Sequence, residues 1–435
     1  MPLTRLIPLL LLFGLLGAHF FRAGEPGLLT VCLLTPLLLL VRRRWAARLV
    51  QAALLAGGAV WADTLGVLIR VRVATGQPWL RLAVILGGVA LLTAAGALLL
   101  QGAPLRRRYP ADAVPARASL VAFGLVAGGL TAAHLASPLR LVVLERFWPG
   151  FGALEILALG VYAAWLTRQI LSPGRSAVWR RRLWRLFSVV FFVQLSLGVA
   201  GVEELLLSGE LHWPVPAVIL AGPLYRGEGL FMAILFGVTL LLVGPAWCSF
   251  LCYLGPWDDL AARRRRLPQP LPAWRHGARL AVLLLAVLLP LGLRLAGLPP
   301  RAAGVGVAVF WGLGLGIMVL WSRRSGTMVH CLLWCPIGLL ANLLGKLSPW
   351  RVRVLPGCTG CHACLAACRY DALSPATLAQ GRPGLSCTLC GDCLPRCHTG
   401  RLAYTFPGLG PATARVAFLT LAVSLHALFL GLGMI

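Results

Sequence analysis

"CTGCHACLAACRY" (Cys358–Tyr370) and "CTLCGDCLPRCHTG" (Cys387–Gly400) repeat one spacing, C-x2-C-x2-C-x3-C, near the end of the chain. Three closely spaced cysteines wrap a short loop over one face of a metal group. The fourth stands apart, free to serve a second group. Zinc sites use paired C-x2-C spacings, so eight thiolates in two three-plus-one runs fit zinc poorly. They fit a pair of [4Fe–4S] clusters in which the fourth cysteine of each run ligates the other cluster. Crossed in this way, one cluster takes Cys358, Cys361, Cys364 and Cys397, and the other takes Cys387, Cys390, Cys393 and Cys368. Residues 351–405 are therefore expected to form a small α+β bacterial-type 2[4Fe–4S] ferredoxin module. The usual run ends C-P, whereas here Arg369 and His398 follow the last cysteines. Both are expected to be solvated loop residues.

The rest of the chain is unlike a ferredoxin. It is 59% apolar and only 12% charged, against about 25% charged residues in soluble domains. Its mean hydropathy is +0.84. Apolar stretches of spanning length recur, and no alternating pattern points to a β-barrel. The fold class expected is an all-α polytopic membrane protein with the ferredoxin module inserted near its C-terminus. About eleven transmembrane helices are expected, at 6–21, 27–41, 46–69, 80–100, 118–135, 151–171, 184–202, 229–247, 278–296, 303–321 and 412–434. The first is read as an uncleaved helix, because no small-x-small site precedes Ala23. Four parts result: an N-terminal four-span module (1–105), a membrane core (118–350), the ferredoxin-like domain (351–405) and a C-terminal helix (412–434).

The net charge of +27 does not indicate nucleic acid. The arginines lie in short clusters between apolar runs, among them Arg42–Arg44, Arg106–Arg108, Arg180–Arg182, Arg263–Arg266 and Arg323–Arg324. That is the positive-inside pattern of a bacterial cytoplasmic membrane protein in contact with membrane lipid. It puts the N-terminus and the ferredoxin module in the cytoplasm, and the 203–228 loop and the C-terminus in the periplasm. Trp148, Trp213, Trp247, Trp257, Trp321 and Trp350 fall near the expected interfaces. Asp63 is expected to pair with Arg70 or Arg72 near the outer surface.

Of thirteen cysteines, eight belong to the two runs, and Cys32 stands alone in an apolar stretch. The other four form a repeat. "WCSFLCYLG" (Trp247–Gly255) and "HCLLWCPIG" (His330–Gly338) share C-x3-C-x2-G, each after a span running inward. Helix pairs ending in the same motif indicate an internal duplication. Residues four apart share a helical face. Cys248, Cys252, Cys331 and Cys335 are thus expected to converge on a third redox or metal site, an additional cluster or copper.

With these motifs the chain resembles the NapH/NosR group of membrane polyferredoxins over roughly residues 180–405. That group has two C-x3-C-P motifs at cytoplasmic helix ends and two [4Fe–4S] motifs after them. Only the second pair here has the proline, Pro336; the first has Tyr253. The resemblance implies electron transfer between the quinone pool and a redox partner protein, such as a periplasmic reductase or another ferredoxin subunit. The alternative it implies is a maturation role, handling or reducing copper for a respiratory metalloenzyme. Quinol dehydrogenase activity would need proton acceptors. Eight of the thirteen acidic residues fall on the expected outer half, together with His134 and His212. His134, Glu155, Glu203 and Glu204 are the candidates for a quinol site.

Overall fold

The computed structural model describes residues 3–41, 44–101, 114–137, 140–206 and 213–432. Arg42, Arg106–Arg108, Glu210, His212 and the final Ile435 lie outside the described residues. Contacts divide the chain into two compact units, Met1–Tyr162 and Ala163–Ile435.

The first unit contains α1 (Leu3–Arg22), α2 (Pro26–Leu34), α3 (Arg44–Ala74), α4 (Leu80–Ala95), α5 (Val114–Ala136) and the start of α6 (Gly152–Leu171). Pro26 opens α2, where its missing N–H costs nothing. Pro36, which has no N–H to give, follows where α2 tightens into a 3-10 stretch, Thr35–Leu40. Leu9, Phe13 and Leu16 of α1 pack with Val50 and Leu54 of α3, and lone Cys32 is buried in the same apolar cluster. Asp63 makes no ion pair among the described residues, which corrects the expected pairing. α3 runs unbroken past it, so Arg70 lies about 10 Å further along the axis, and Arg72 donates to the Pro78 carbonyl at 2.8 Å.

In the second unit α7 (Ser176–Val199) is followed by α8 (Val218–Arg226) and α9 (Phe231–Val243). α9 passes through a 3-10 turn into a π turn, Trp247–Leu251. Next come α10 (Gly255–Ala262), α11 (Arg275–Leu295) and α12 (Pro300–Ile317). α12 runs on into a π turn, Met318–Ser322, and a third, His330–Trp334, leads into α13 (Pro336–Leu344). The module then opens with β1 (Arg351–Val354) and closes with β2 (Leu402–Thr405), and α14 (Pro411–Leu432) ends the chain. β1 and β2 pair antiparallel, with Val352 opposite Tyr404. The Tyr404 ring stacks on Phe418 of α14 at 4.5 Å. α7, α11 and α14 begin at the module's end of the bundle, and the two cysteine-bearing π turns end there, so the helices alternate in direction.

Among the described residues nine helices are long and apolar enough to cross a membrane. The other two expected spans appear as shorter apolar helices, Leu6–Arg22 and Pro26–Leu40. The fifteen residues of the second reach only about 22 Å, against a hydrocarbon core of about 30 Å, whereas α1 has 20 residues from Leu3 and reaches about 30 Å. Two further expectations are corrected. Arg180–Arg182 lie within α7 and not in a loop. Trp247 and Trp350 are buried; Trp350 donates its indole N–H to the Leu242 carbonyl at 2.9 Å.

Candidate functional site

The two cysteine runs share one backbone design. Gly360 and His362 flank Cys361 at φ 66° and 58°; Leu389 and Gly391 flank Cys390 at 54° and 73°. Left-handed residues on both sides of a cysteine turn backbone N–H groups inward, the geometry of an anion-binding nest. His362 and Leu389 carry side chains in this region, a strain that persists only where the surroundings enforce it. Each run then makes a 3-10 turn, Leu365–Ala367 or Leu394–Arg396. Its fourth cysteine is extended, with ψ 92° at Cys368 and 102° at Cys397. The sulfurs of these two accept from equivalent amides, Ala372 N at 3.3 Å and Arg401 N at 3.2 Å.

Burial pushes the Cys387 and Cys390 thiols up to about 12, and neighbouring cysteine and Asp392 charge adds to it at Cys390. Cys397 goes the other way: burial raises it, but the Thr399 hydroxyl and nearby amides more than offset that. Protons held this firmly leave when a metal binds, and N–H donors aimed at sulfur favour the ligated thiolate. Among the described residues no three His, Cys, Asp or Glu side chains close around a single metal ion. A cubane asks for something else, because each of its irons carries its own thiolate.

The C-x3-C pairs form a second matched set. Cys252 N donates to Trp247 O at 3.0 Å and Cys335 N to His330 O at 2.9 Å, closing the two π turns. Both cysteines leave the turn extended, at ψ 122° and 111°. Expected on α-helical faces, the pairs sit instead on π turns, a feature frequent at functional sites. The Cys252 sulfur receives the amides of Gly255 and Leu254, and Cys335 those of Gly338 and Ile337. The glycine of each motif is required by close approach. A Cβ would lie 3.2 Å from the Cys248 carbonyl oxygen at Gly255 and 2.7 Å from that of Cys331 at Gly338.

All four sulfurs lie within electrostatic reach of one another. Burial, then Asp258 and the other three cysteines, pushes Cys331 well above its usual range. Cys252 is raised to about 12 and Cys335 to about 11, burial again coming first. Two charged groups share the site. Asp258, fully buried, accepts from Cys331 N at 3.0 Å, and burial raises it to about 6. Arg279 is only 3% exposed and lies near Cys248, Cys335 and Cys331. Its Nε and one terminal nitrogen have no hydrogen-bond partner among the described residues. A buried guanidinium with orphaned N–H groups beside four sulfurs fits an anionic occupant.

Hydrogen bonds join the two sets. The Ser249 hydroxyl, between Cys248 and Cys252, donates to the Thr388 carbonyl, between Cys387 and Cys390, at 2.9 Å. Arg180 donates to the Ser249 carbonyl at 3.0 Å and grips Asp392, between Cys390 and Cys393, with two bonds of 2.8 Å. Arg263 holds Asp392 at 2.7 Å and Asp259 at 2.8 Å. Tyr370, 3% exposed, lies within electrostatic reach of Cys331 and Cys248 on one side and Cys390 on the other. Its hydroxyl has no hydrogen-bond partner among the described residues. Arg369 is not solvated as expected. It is buried, donating to the Gly326 and Arg266 carbonyls at 2.8 and 2.7 Å. His398 is exposed, as expected.

The quinol candidates fall in different surroundings. His134 and Glu155 belong to the first unit, Glu203 and Glu204 to the second. Glu155 accepts from Leu144 N at 2.5 Å, capping the short helix Val143–Phe147. Glu203 and Glu204 are exposed on a 3-10 turn. Sequence reasoning missed Arg180, Ser249, Asp258, Arg279, Tyr370 and Asp392. One signal was available: of the five acidic residues assigned to the inner half, Asp258, Asp259, Asp371 and Asp392 all serve this region, Asp371 by pairing with Arg275.

A family model described as a 4Fe-4S binding domain matches residues 227–270. Cys248 and Cys252 are the only cysteines in that segment, so the match falls on the first C-x3-C pair and not on the two ferredoxin-type runs. No curated protein and no solved structure matches the chain.

Proposed function

We propose that the chain is a multi-pass membrane iron–sulfur protein that passes electrons between the quinone pool and a partner redox protein. In this reading the two runs hold two clusters with the crossed ligands named above, and Cys248, Cys252, Cys331 and Cys335 hold a third. Bound clusters supply one-electron transfer, and the chain's own residues supply spacing, orientation and charge. The observation that carries the reading is the Ser249–Thr388 hydrogen bond, backed by Arg180 and Asp392. It ties the membrane-side cysteine turn to a cluster-binding loop, and a ferredoxin merely tethered by its ends would not need it. The match to a 4Fe-4S binding domain supports iron at the membrane-side pair. The arginine pattern supports a cytoplasmic module in a bacterial inner membrane.

A copper-handling role is the second reading, favoured by the all-sulfur donor set, which suits Cu(I). Arg279 suits either occupant, since Cu(I) on thiolates and a [4Fe–4S] cluster on four thiolates are both anionic; the match to a 4Fe-4S binding domain over Cys248 and Cys252 favours iron. The test uses protein in lipid nanodiscs with Cys252→Ser and Cys335→Ser combined. Anaerobic decylubiquinol should still meet two EPR-visible ferredoxin-type clusters but reduce them at least tenfold more slowly. Unchanged reduction would overturn the relay. Stoichiometric copper and no iron at the four cysteines would favour the second reading.

A further inference from the structure

Beside the Cys248–Cys252 turn lies a cavity of about 320 Å³. α7, α8, α9, the π turn and the end of α14 wall it, and its surface is mainly apolar and aromatic. Phe191 of α7 stacks face to face on Tyr253, 3.9 Å between centroids and 3° between planes. Tyr253 replaces the proline that Pro336 supplies in the other motif. It is the residue after Cys252, and it is within electrostatic reach of both Cys252 and Cys335. Gln194, one helical turn beyond Phe191, lines the same cavity, about 4.5 Å further along the axis. Arg226 also lines it and makes no ion pair among the described residues. Phe231 and Met232, on the wall, are 60% and 39% exposed on the outer apolar surface, which opens a route from lipid.

We infer that this cavity binds an isoprenoid quinone, its ring beside Phe191 and its two oxygens served by the Tyr253 hydroxyl and the Gln194 amide. Small-ligand sites are apolar clefts of roughly 300–1,000 Å³ with a few placed polar groups, and this one has that composition inside a membrane bundle. A lipid acyl chain would use the apolar wall but neither polar handle. The inference rests on the quinone-linked reading above and gives it a location: none of His134, Glu155, Glu203 or Glu204 lines this cavity.

Decylubiquinone binding to the full-length protein in nanodiscs, measured by isothermal titration calorimetry, tests it. Tyr253→Phe and Gln194→Leu should each weaken binding about three- to tenfold, the worth of one hydrogen bond. Leu235→Trp, which fills the cavity, should abolish binding with iron content unchanged. Wild-type affinity in all three variants would overturn the site while leaving the quinone-linked reading standing. No binding by the wild type would overturn both. Equal competition by decanol, a chain without a ring, would make the cavity a lipid site and overturn the inference.

Discussion

Asp392 shows how one side chain can set the position of a module. Burial alone would push its carboxyl up, yet Arg180, Arg263 and Arg181 outweigh burial and hold it below the usual carboxylate range. A buried charge that loses its partner costs about 3–5 kcal/mol. Asp392→Ala would strand Arg180, itself 1% exposed. The variant should lower the thermal midpoint and lose the visible absorbance of the Cys387-run cluster first, read by a melt followed at the iron–sulfur band. An unchanged melt would show that the network is not what seats the module. Little of this was legible in advance. Arg180–Arg182 were read as markers of sidedness, because clustered arginine carries that meaning whatever it touches. The partner lies 212 residues away in sequence, a distance over which local pattern carries no information.

At the scale of elements, two π turns do what α-helical faces were expected to do. The C-x3-C-x2-G spacing revealed the duplication, and the structure repeats it bond for bond at Cys252 and Cys335. The spacing could not reveal the pitch, because cysteines four apart fit an α or a π turn equally well. The glycines carried the missing information. Gly338 lies so close to the Cys331 carbonyl that an added methyl would sit at 2.7 Å, and backbone cannot swing aside as a side chain can. Gly338→Ala should therefore open the second turn and lose the iron held by the four cysteines. The EPR of the two ferredoxin-type clusters should persist, since their loops are built from other residues. Retention of all iron in this variant would mean that the turn tolerates the methyl. The two cysteine runs were more legible in one respect: their shared spacing returns as one shared backbone design, although left-handed His362 and Leu389 carry no sequence mark of it.

Across the whole molecule, hydropathy located the nine helices of spanning length among the described residues but not the shorter apolar helix α13, Pro336–Leu344. The two apolar segments before the nine count as shorter apolar helices, Leu6–Arg22 and Pro26–Leu40. What composition could not show was how chemistry concentrates at one end of the second unit. Twelve of the thirteen cysteines belong to its two matched sets, and Asp258, Asp259, Asp371 and Asp392 lie among them, joined by Ser249, Arg180 and Tyr370, which no spacing rule singles out. The matched 4Fe-4S binding domain covers only the first C-x3-C pair, so the decisive quantity is how much iron the chain holds. Iron and acid-labile sulfide per chain should be measured on anaerobically purified wild type and on Cys252→Ser with Cys335→Ser. Three [4Fe–4S] clusters give about twelve of each in the wild type, falling to about eight in the double variant. About eight in both would contradict a cluster at the four membrane-side cysteines and break the proposed line from membrane to module.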